Sequence, residues 1–282
     1  GSGVKLTWTA NSESDVAGYK IHYGSFTGYS YANNVDAGNV TSYKISSGLS
    51  IDDSITVTAY DSDANGTDDQ VEGYQSWFSS LAVPTTKTVK KDGSGQYTTI
   101  QAAINAASSG DTILVYAGTY TENVNHAAGV ILGSLYMTTG DTSYISSTII
   151  DGNNNGTVVE FNDGEKNGAK LIGFTIQNGL GDSYPDNNMG GGIYLNGNSS
   201  SPATISNCII KNNNGNKNGG GIYSGDSGGL IINNTKIINN TAQYGGGIKF
   251  ENGAEATVTN CLIANNTATT RGGGVSDNDN NS

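Results

Sequence analysis

The stretch GGGIY at residues 190–194 is the first of four glycine triplets, each followed by a β-branched residue. The other triplets begin at Gly219, Gly245 and Gly272, so successive triplets start 29, 26 and 27 residues apart. A period in this range is typical of a solenoid, in which each repeat buries its apolar face against the next. The triplets therefore predict a stack of similar turns of chain, called rungs below, in the second half of the protein.

Apolar residues recur in register between the triplets and predict which side chains form the core. Four buried columns are expected: Leu171, Ile205, Ile232 and Val258; Phe174, Cys208, Thr235 and Cys261; Ile176, Ile210, Ile237 and Ile263; and Ile193, Ile222, Ile248 and Val275. Side chains alternate between the two faces of a strand. The intervening positions are therefore expected on the outer face: Thr175, Ile209, Lys236 and Leu262.

Asparagine and cysteine occupy fixed places in the repeat. Asn207, Asn234 and Asn260 are expected at bends, because asparagine tolerates the left-handed conformation and its amide can bond to the next rung. Cys208 and Cys261 stand two rungs apart, so their Cα atoms should be ~9–10 Å apart, beyond the ~7 Å reach of a disulfide. We expect two buried, free thiols.

The outer face of the repeat carries a candidate glycan site. Tyr194 and Tyr223 should stack on neighbouring rungs, with Lys249 next in line. Aromatic ladders of this kind bind saccharide rings. The alternative is a cross-rung aromatic pair that only stiffens the sheet, and the sequence favours it modestly.

Residues 86–124 precede the repeats and contain one helical pattern. Ile100, Ala103, Ile104 and Ala107 form an apolar stripe, which predicts a helix at about 99–108. The order DGSGQYTTIQAAI, GDTILV and GTYTE resembles the opening of pectin methylesterases and related right-handed parallel β-helix proteins. The resemblance implies that the helix caps the first rung of such a β-helix.

The repeats at 156–275 are similar to those of polymorphic outer-membrane and autotransporter passenger proteins. That likeness implies a fold and no substrate. We therefore expect a right-handed parallel β-helix of about seven rungs over residues 85–282, whose C-terminal end looks incomplete.

Residues 1–84 predict a separate, all-β domain. Short alternating strands are separated by turn clusters, as in a β-sandwich. The segments VKLTWTANSESDVAGYKIHYG at 4–24 and ITVTAYDSDANG at 55–66 resemble a fibronectin type III domain, although the usual first strand is absent and Ser54 replaces the corner tyrosine. The overall fold class is thus all-β, a sandwich followed by a parallel β-helix.

One acidic loop of this domain matches a calcium-binding pattern. The candidate ligands, spaced as D-x-[DN]-x-[DN]-G-x₅-E requires, are Asp61, Asp63, Asn65, Thr67, Asp69 and Glu72. Ca²⁺ takes six to eight hard oxygens, which this spacing supplies. The alternative is a polar hairpin turn that needs no metal, and the sequence leaves the two at even odds.

Composition restricts the partners. The formal net charge is −12 and the pI is about 4.4, which argues against a nucleic-acid binder because phosphate contacts need basic stripes. No apolar run approaches the ~20 residues of a membrane span.

The signature segments of pectin methylesterases and polygalacturonases are absent from the sequence. A lyase of this fold would need a basic residue near calcium. The later rungs offer Lys211, Lys217, Lys236, Lys249 and Arg271, with Asp226 and Glu251 as acidic neighbours. His22 and His126 lie in different regions and pair with no nucleophile motif. The sequence thus leans against an enzyme and assigns no catalytic residue.

These observations predict a fragment of a secreted or surface-displayed bacterial protein with an adhesive or structural role. Its partners would be surface or matrix polysaccharides or proteins, or further copies of itself added head to tail. The alternatives are a lyase, hydrolase or esterase acting on acidic glycans, and a non-catalytic carbohydrate-binding module.

Overall fold

The structure, a computed structural model, describes residues 4–10, 16–27, 30–47, 49, 54–61, 80–81, 84–161, 168–181, 190–196, 201–225, 229–251 and 253–277. The chain divides into two compact units, residues 1–85 and 86–282. Each unit has its own hydrophobic core.

The first unit contains two antiparallel sheets among its described residues. One pairs β1 (Val4–Thr7) with β4 (Ser42–Ile45). The other has the order β3-β2-β5-β6, with β2 (Val16–Thr27), β3 (Ser30–Gly38), β5 (Ser54–Asp61) and β6 (Ser80–Leu81). β3 was not expected from the sequence, because its polar residues lack the apolar alternation of a half-buried strand.

Alternating residues of these strands fill the first core with Leu6, Ile21, Ile45 and Ile55. Trp8 packs against this cluster, and its ring meets that of Tyr19 edge-on at 5.4 Å. The assignment to the fibronectin type III fold stays a prediction.

The second unit is built from three parallel sheets that the chain visits in turn. The first sheet contains β7 (Thr86–Val89), β8 (Thr112–Val115), β11 (Ile131–Ser134), β14 (Lys170–Ile172), β17 (Ala203–Ser206), β20 (Leu230–Asn233) and β24 (Ala256–Thr259). The second contains β9 (Gly118–Thr121), β12 (Thr148–Asp151), β15 (Thr175–Gln177), β18 (Ile209–Lys211), β21 (Lys236–Ile238) and β25 (Leu262–Ala264). The third contains β10 (Val124–Asn125), β13 (Val159–Phe161), β16 (Ile193–Leu195), β19 (Ile222–Ser224), β23 (Ile248–Phe250) and β27 (Val275–Asp277). The short strands β22 (Thr241–Tyr244) and β26 (Thr267–Arg271) pair beside them.

This arrangement is a parallel β-helix, as the repeats predict. Each strand pairs with the strand one rung before and one rung after, and the predicted column Leu171, Ile205, Ile232 and Val258 is in register throughout. Three of these side chains are fully buried, whereas Val258 is 39% exposed. Val275, at a predicted core position of the same rung, is 45% exposed.

Thr175 is in register with Ile209 on the predicted outer face, but it is buried there. Its side chain is 2% exposed, and its hydroxyl donates to the carbonyl oxygen of Ile145 at 2.8 Å. The reason is an insertion with two short helices, α2 (Tyr136–Thr139) and α3 (Ser143–Ser147), which lies between β11 and β12. α3 contacts β15 and covers this part of the second sheet.

The predicted helix is present but shorter, since α1 spans Ile100–Asn105. Ile100, Ala103 and Ile104 are buried in the β-helix core, and α1 contacts β7, β8 and β10. Both carboxylate oxygens of Glu122 accept hydrogen bonds from the helix's first amides, those of Ile100 and Gln101, at 3.0 Å. These bonds satisfy amides that have no partner within the helix.

Asparagine has two separate uses in the rungs. Asn207, Asn234 and Asn260 do occupy left-handed bends, with φ of 53°, 49° and 52°. The continuous amide ladder lies in another column, Asn213–Asn240–Asn266, where each Nδ2 donates to the next Oδ1 at 3.0 Å. The sequence prediction assigned this cross-rung role to the bend residues instead.

The glycine triplets form a corner in which rungs touch through their backbones. A Cβ atom on Gly247 would overlap the carbonyl oxygen of Gly274 in the next rung. Any side chain there would push the rungs apart, which explains why the triplet recurs.

The two thiols are free, as the rung spacing predicts. Cys208 is buried, and burial raises its thiol pKa to about 11. Cys261 is only partly buried, contrary to expectation.

Candidate functional site

The calcium-loop prediction falls outside the described residues. Asp63, Asn65, Thr67, Asp69 and Glu72 belong to the undescribed stretch 62–79, and of Asp61 only the backbone is described. Within the described ranges, no group of three or more histidine, cysteine or acidic side chains is arranged to hold a metal.

The outer face of the third sheet carries the predicted tyrosine pair. Tyr194 pairs in register with Tyr223, and Tyr223 with Lys249. The two rings are stacked, 5.4 Å between centroids and 9° from parallel. Tyr223 is only 3% exposed, whereas Tyr194 is half-buried. A sugar ring could therefore reach Tyr194 but not the face of Tyr223.

Glu251 joins this pair to the next rung. The Tyr223 hydroxyl donates to Glu251 Oε2 at 2.8 Å, and Lys249 Nζ lies 3.6 Å from Glu251 Oε1. Lys249 also donates to the carbonyl oxygen of Phe250 at 3.1 Å. We call Tyr194, Tyr223, Lys249 and Glu251 the outer-face cluster. The Tyr223 hydroxyl and the Lys249 ammonium thus both contact the Glu251 carboxylate.

Lys249 is the unusual member of the cluster because its side chain is fully buried. Burial lowers the pKa of its ammonium group, and the neighbouring Glu251 carboxylate partly opposes that shift. A buried ammonium persists only when paired and hydrogen-bonded, which the contacts with Glu251 and Phe250 provide. Ser276 follows Lys249 in register, and its buried hydroxyl has no hydrogen-bond partner.

Sequence reasoning placed Lys249 outside and did not connect it to Tyr223. The sequence does contain a sign of this contact. Lys249 lies in β23 and Glu251 directly follows the strand, and side chains two residues apart along an extended chain point to the same face. Of the other lyase candidates, Lys217, Lys236 and Arg271 are exposed and Lys211 is half-buried. Asp226 lies outside the described residues.

His126 is a core residue at the end of β10. It is fully buried and stacks on Phe161 at 4.7 Å. Its Nδ1 lies 3.0 Å from the carbonyl oxygen of Ala127, and its Nε2 lies 3.1 Å from that of Lys170. Burial lowers the imidazole pKa to about 4, although the two carbonyl contacts act in the opposite direction. At neutral pH the ring is uncharged and can donate to one of the two carbonyls.

The other charged pairing of note lies near α1. Lys87 Nζ contacts Asp111 Oδ2 at 2.8 Å, and the same oxygen accepts from the amide of Ser108. Both side chains are largely buried, so this pair fixes the connection that follows α1.

Comparison with known proteins identifies the fold of the repeats. Residues 191–282 match the family model described as a right handed beta helix region, which is not a nucleic-acid-binding family. No curated protein matches the sequence. Among the described residues, no helix is long and apolar enough to cross a membrane.

The solved structures that are similar in part include two pectin methylesterases. Pectin methylesterase from carrot aligns with a TM-score of 0.38 and 18% identity, over 64% of this chain and 65% of that chain. Deglycosylated pectin methylesterase from Aspergillus niger aligns with a TM-score of 0.34 and 17% identity, over 71% of this chain and 83% of that chain. At this level of similarity neither neighbour informs the activity of this chain.

Proposed function

We propose that this chain is part of an extracellular bacterial surface protein with a structural or adhesive role, in which the β-helix is a non-catalytic scaffold. The observation that supports this is the internal pairing of the outer-face cluster. The Tyr223 hydroxyl donates to Glu251 on the next rung, and the Lys249 ammonium lies beside the same carboxylate. Such contacts stiffen the stack and engage the cluster's acid and base with each other.

For this role we propose three kinds of partner: polysaccharides of a cell surface or matrix, proteins of the same surfaces, and further copies of this chain. A calcium ion held by the Asp61–Glu72 loop would stiffen the first unit by neutralising its crowded carboxylates. Extracellular calcium, at millimolar concentrations, would suffice for a weak loop of this kind.

The test combines binding with turnover. The full chain is applied to immobilised acidic and neutral polysaccharides and to matrix proteins, and the same polysaccharides are screened for product release with calcium present. The scaffold proposal expects retention on at least one surface with no turnover. Turnover of any polymer, or retention on none of the surfaces, contradicts it.

One observation favours an enzyme as the second candidate. Lys249 is a buried amine with a lowered pKa beside Glu251, a combination that occurs at catalytic sites. A lyase or hydrolase acting on acidic glycans would lose turnover in Lys249→Met and Glu251→Gln. The scaffold proposal expects these variants to change only the unfolding temperature.

A carbohydrate-binding module is the third candidate, favoured by the half-buried ring of Tyr194 on the outer face. It predicts saturable glycan binding that Tyr194→Ala abolishes. Tyr223→Ala should instead act through stability, because that ring is almost fully buried.

A further inference from the structure

We propose that the dipeptide Asn155–Gly156, in the turn between β12 and β13, is a site of spontaneous deamidation in the folded protein. The modification replaces a neutral side chain on the surface of the β-helix by a carboxylate. It goes beyond the adhesive role proposed above and does not depend on that role.

The reaction joins two groups that are neighbours along the chain. The Gly156 amide nitrogen loses its proton to base and attacks Cγ of Asn155, so that a C–N bond forms in a cyclic succinimide. The bond from Cγ to Nδ2 breaks, and this nitrogen takes up a proton and leaves as ammonia. Solvent water then opens the ring to aspartate or isoaspartate. Glycine favours the attack because it has no side chain beside the reacting nitrogen.

The structure describes four Asn–Gly pairs, and backbone hydrogen bonds separate one of them from the other three. Three of the glycine amides donate to the neighbouring rung: Gly179 to Asn213 at 2.8 Å, Gly215 to Thr241 at 2.9 Å and Gly219 to Tyr244 at 3.0 Å. The Gly156 amide donates to no group in the part of the chain that the structure describes. A bonded amide has to be released by local opening before its proton can leave, which slows the attack.

The asparagine side chains of the four pairs differ in the same direction. Asn218 is buried, and Asn178 Nδ2 donates to Asp151 Oδ2 at 2.9 Å. Asn214 is exposed, but its Oδ1 accepts from the amide of Asn216 at 2.9 Å. The Asn155 side chain is exposed and bonds to none of the described residues. Of the four described pairs, only Asn155–Gly156 combines an unbonded side chain with an unbonded amide.

The turn is anchored at both ends, whereas the reacting link has room to move. The Asn155 amide donates to the Gly152 carbonyl and the Leu180 amide donates to the Gly156 carbonyl, both at 2.9 Å. A Cβ atom added to Gly156 would meet nothing closer than Asn123 Nδ2, at 3.4 Å, apart from its chain neighbours. The succinimide ring can therefore form without a clash with the adjacent rungs.

Both products change the surface between the second and third sheets. Each adds one negative charge to a chain whose formal net charge is −12. The isoaspartyl product also inserts the former side-chain carbon into the backbone. This moves the Gly156 carbonyl away from the Leu180 amide, so the isoaspartyl form loses a contact between rungs.

The test follows deamidation of the folded full chain by peptide mass spectrometry at pH 7.5 and pH 9. Among the four described pairs Asn155 should react first, and faster at the higher pH, because the attacking amide must lose its proton. Asn214 should react at least about tenfold more slowly, since releasing the Gly215 amide costs about as much free energy as one decade in rate. Equal rates at Asn155 and Asn214, or no reaction at Asn155, overturn the proposal.

Unfolding the chain separates the effect of structure from that of local sequence. In concentrated denaturant neither glycine amide is held by a rung, so Asn155 and Asn214 should react at similar rates. A tenfold difference that persists in denaturant overturns the structural argument. Hydrogen exchange of the native chain, followed by NMR, gives a second measure: the Gly156 amide should exchange at least about tenfold faster than the Gly215 amide. Equal protection of the two amides contradicts the proposal.

Two variants locate the reaction. Asn155→Gln keeps an amide but lengthens the side chain, so the succinimide cannot form; the peptide that contains residue 155 should stay unmodified, and the unfolding temperature should not change, because the position is exposed. Asn214→Gln is the matched control and should deamidate at Asn155 as the wild type does. Unchanged deamidation of the residue-155 peptide in Asn155→Gln overturns the assignment.

Discussion

Titration of His126 should make the stability of the β-helix fall between neutral and mildly acidic pH. Burial lowers the imidazole pKa from its ordinary value of 6.5 to about 4. In the unfolded chain this histidine binds a proton near pH 6.5, whereas in the native state it stays neutral until about pH 4. The stability linked to His126 is therefore complete above pH 6.5 and is lost as the pH falls toward 4.

The magnitude follows from the two pKa values. Their difference, at about 1.4 kcal/mol per pKa unit, amounts to roughly 3 kcal/mol over the whole range, of which about 2 kcal/mol is lost by pH 5. Most exposed carboxylates are still ionised at pH 5, so the histidine contribution can be separated there from general acid unfolding.

The assay compares denaturant unfolding of the wild type and His126→Gln at pH 7.5 and pH 5. Glutamine keeps an N–H donor for one of the two carbonyls but does not titrate, so this variant should be less stable at pH 7.5 and lose about 2 kcal/mol less on acidification. Both tryptophans, Trp8 and Trp77, lie in residues 1–85. Tryptophan fluorescence therefore follows the first unit, and the part of the circular dichroism change that has no matching fluorescence change reports the β-helix.

His22→Gln is the control, because His22 lies in the first unit and should leave the pH dependence of the β-helix transition unchanged. An NMR titration of the His126 ring proton gives an independent measure. A native pKa near 6.5, or equal pH dependence in wild type and His126→Gln, would refute the reasoning.

The remaining predictions concern the rungs and the metal. Asn240→Ala should destabilise the β-helix by about 3–5 kcal/mol, because it removes a fully buried amide that bonds to both neighbouring rungs and leaves their groups unpaired; denaturant unfolding measures the loss. Gly247→Ala should prevent folding or lower the unfolding temperature strongly, whereas Gly274→Ala at the same place in the next triplet should be tolerated, since its Cβ would meet Ile263 at an ordinary 3.7 Å; equal behaviour of the two variants in thermal unfolding contradicts this. Calorimetry should detect weak Ca²⁺ binding in the wild type that Asp63→Ala abolishes, and a wild type without any heat of binding ends the calcium hypothesis.

Much of the fold could be predicted because the repeat is regular. The spacing of the glycine triplets gave the rungs, and the core columns through Ile205 and Ile210 followed from alternation once the register was known. The spacing between rungs also excluded a disulfide bond between Cys208 and Cys261, and both thiols are free in the structure.

The candidate site could be predicted only in part. Tyr194 and Tyr223 could be paired from the repeat, but the role of Glu251 depends on how a long side chain reaches across a rung. The buried amide ladder was assigned to the wrong asparagines. Asn207 is at a left-handed bend, whereas the Asn213 side chain is buried and bonds to Asn240, and residue type alone does not distinguish these two environments.

The sequence by itself determined the features that repeat: the glycine corner, the stacked columns and the left-handed asparagine bends. Each of these depends on backbone geometry and alternation, which act over a few residues. Only the tertiary structure decided the burial of Thr175 and Lys249, the pairing of His126 with two carbonyls, and which glycine amides are bonded across rungs. These depend on chain segments that are far apart in sequence, above all the insertion with α2 and α3, and no local pattern specifies which surface such a segment covers.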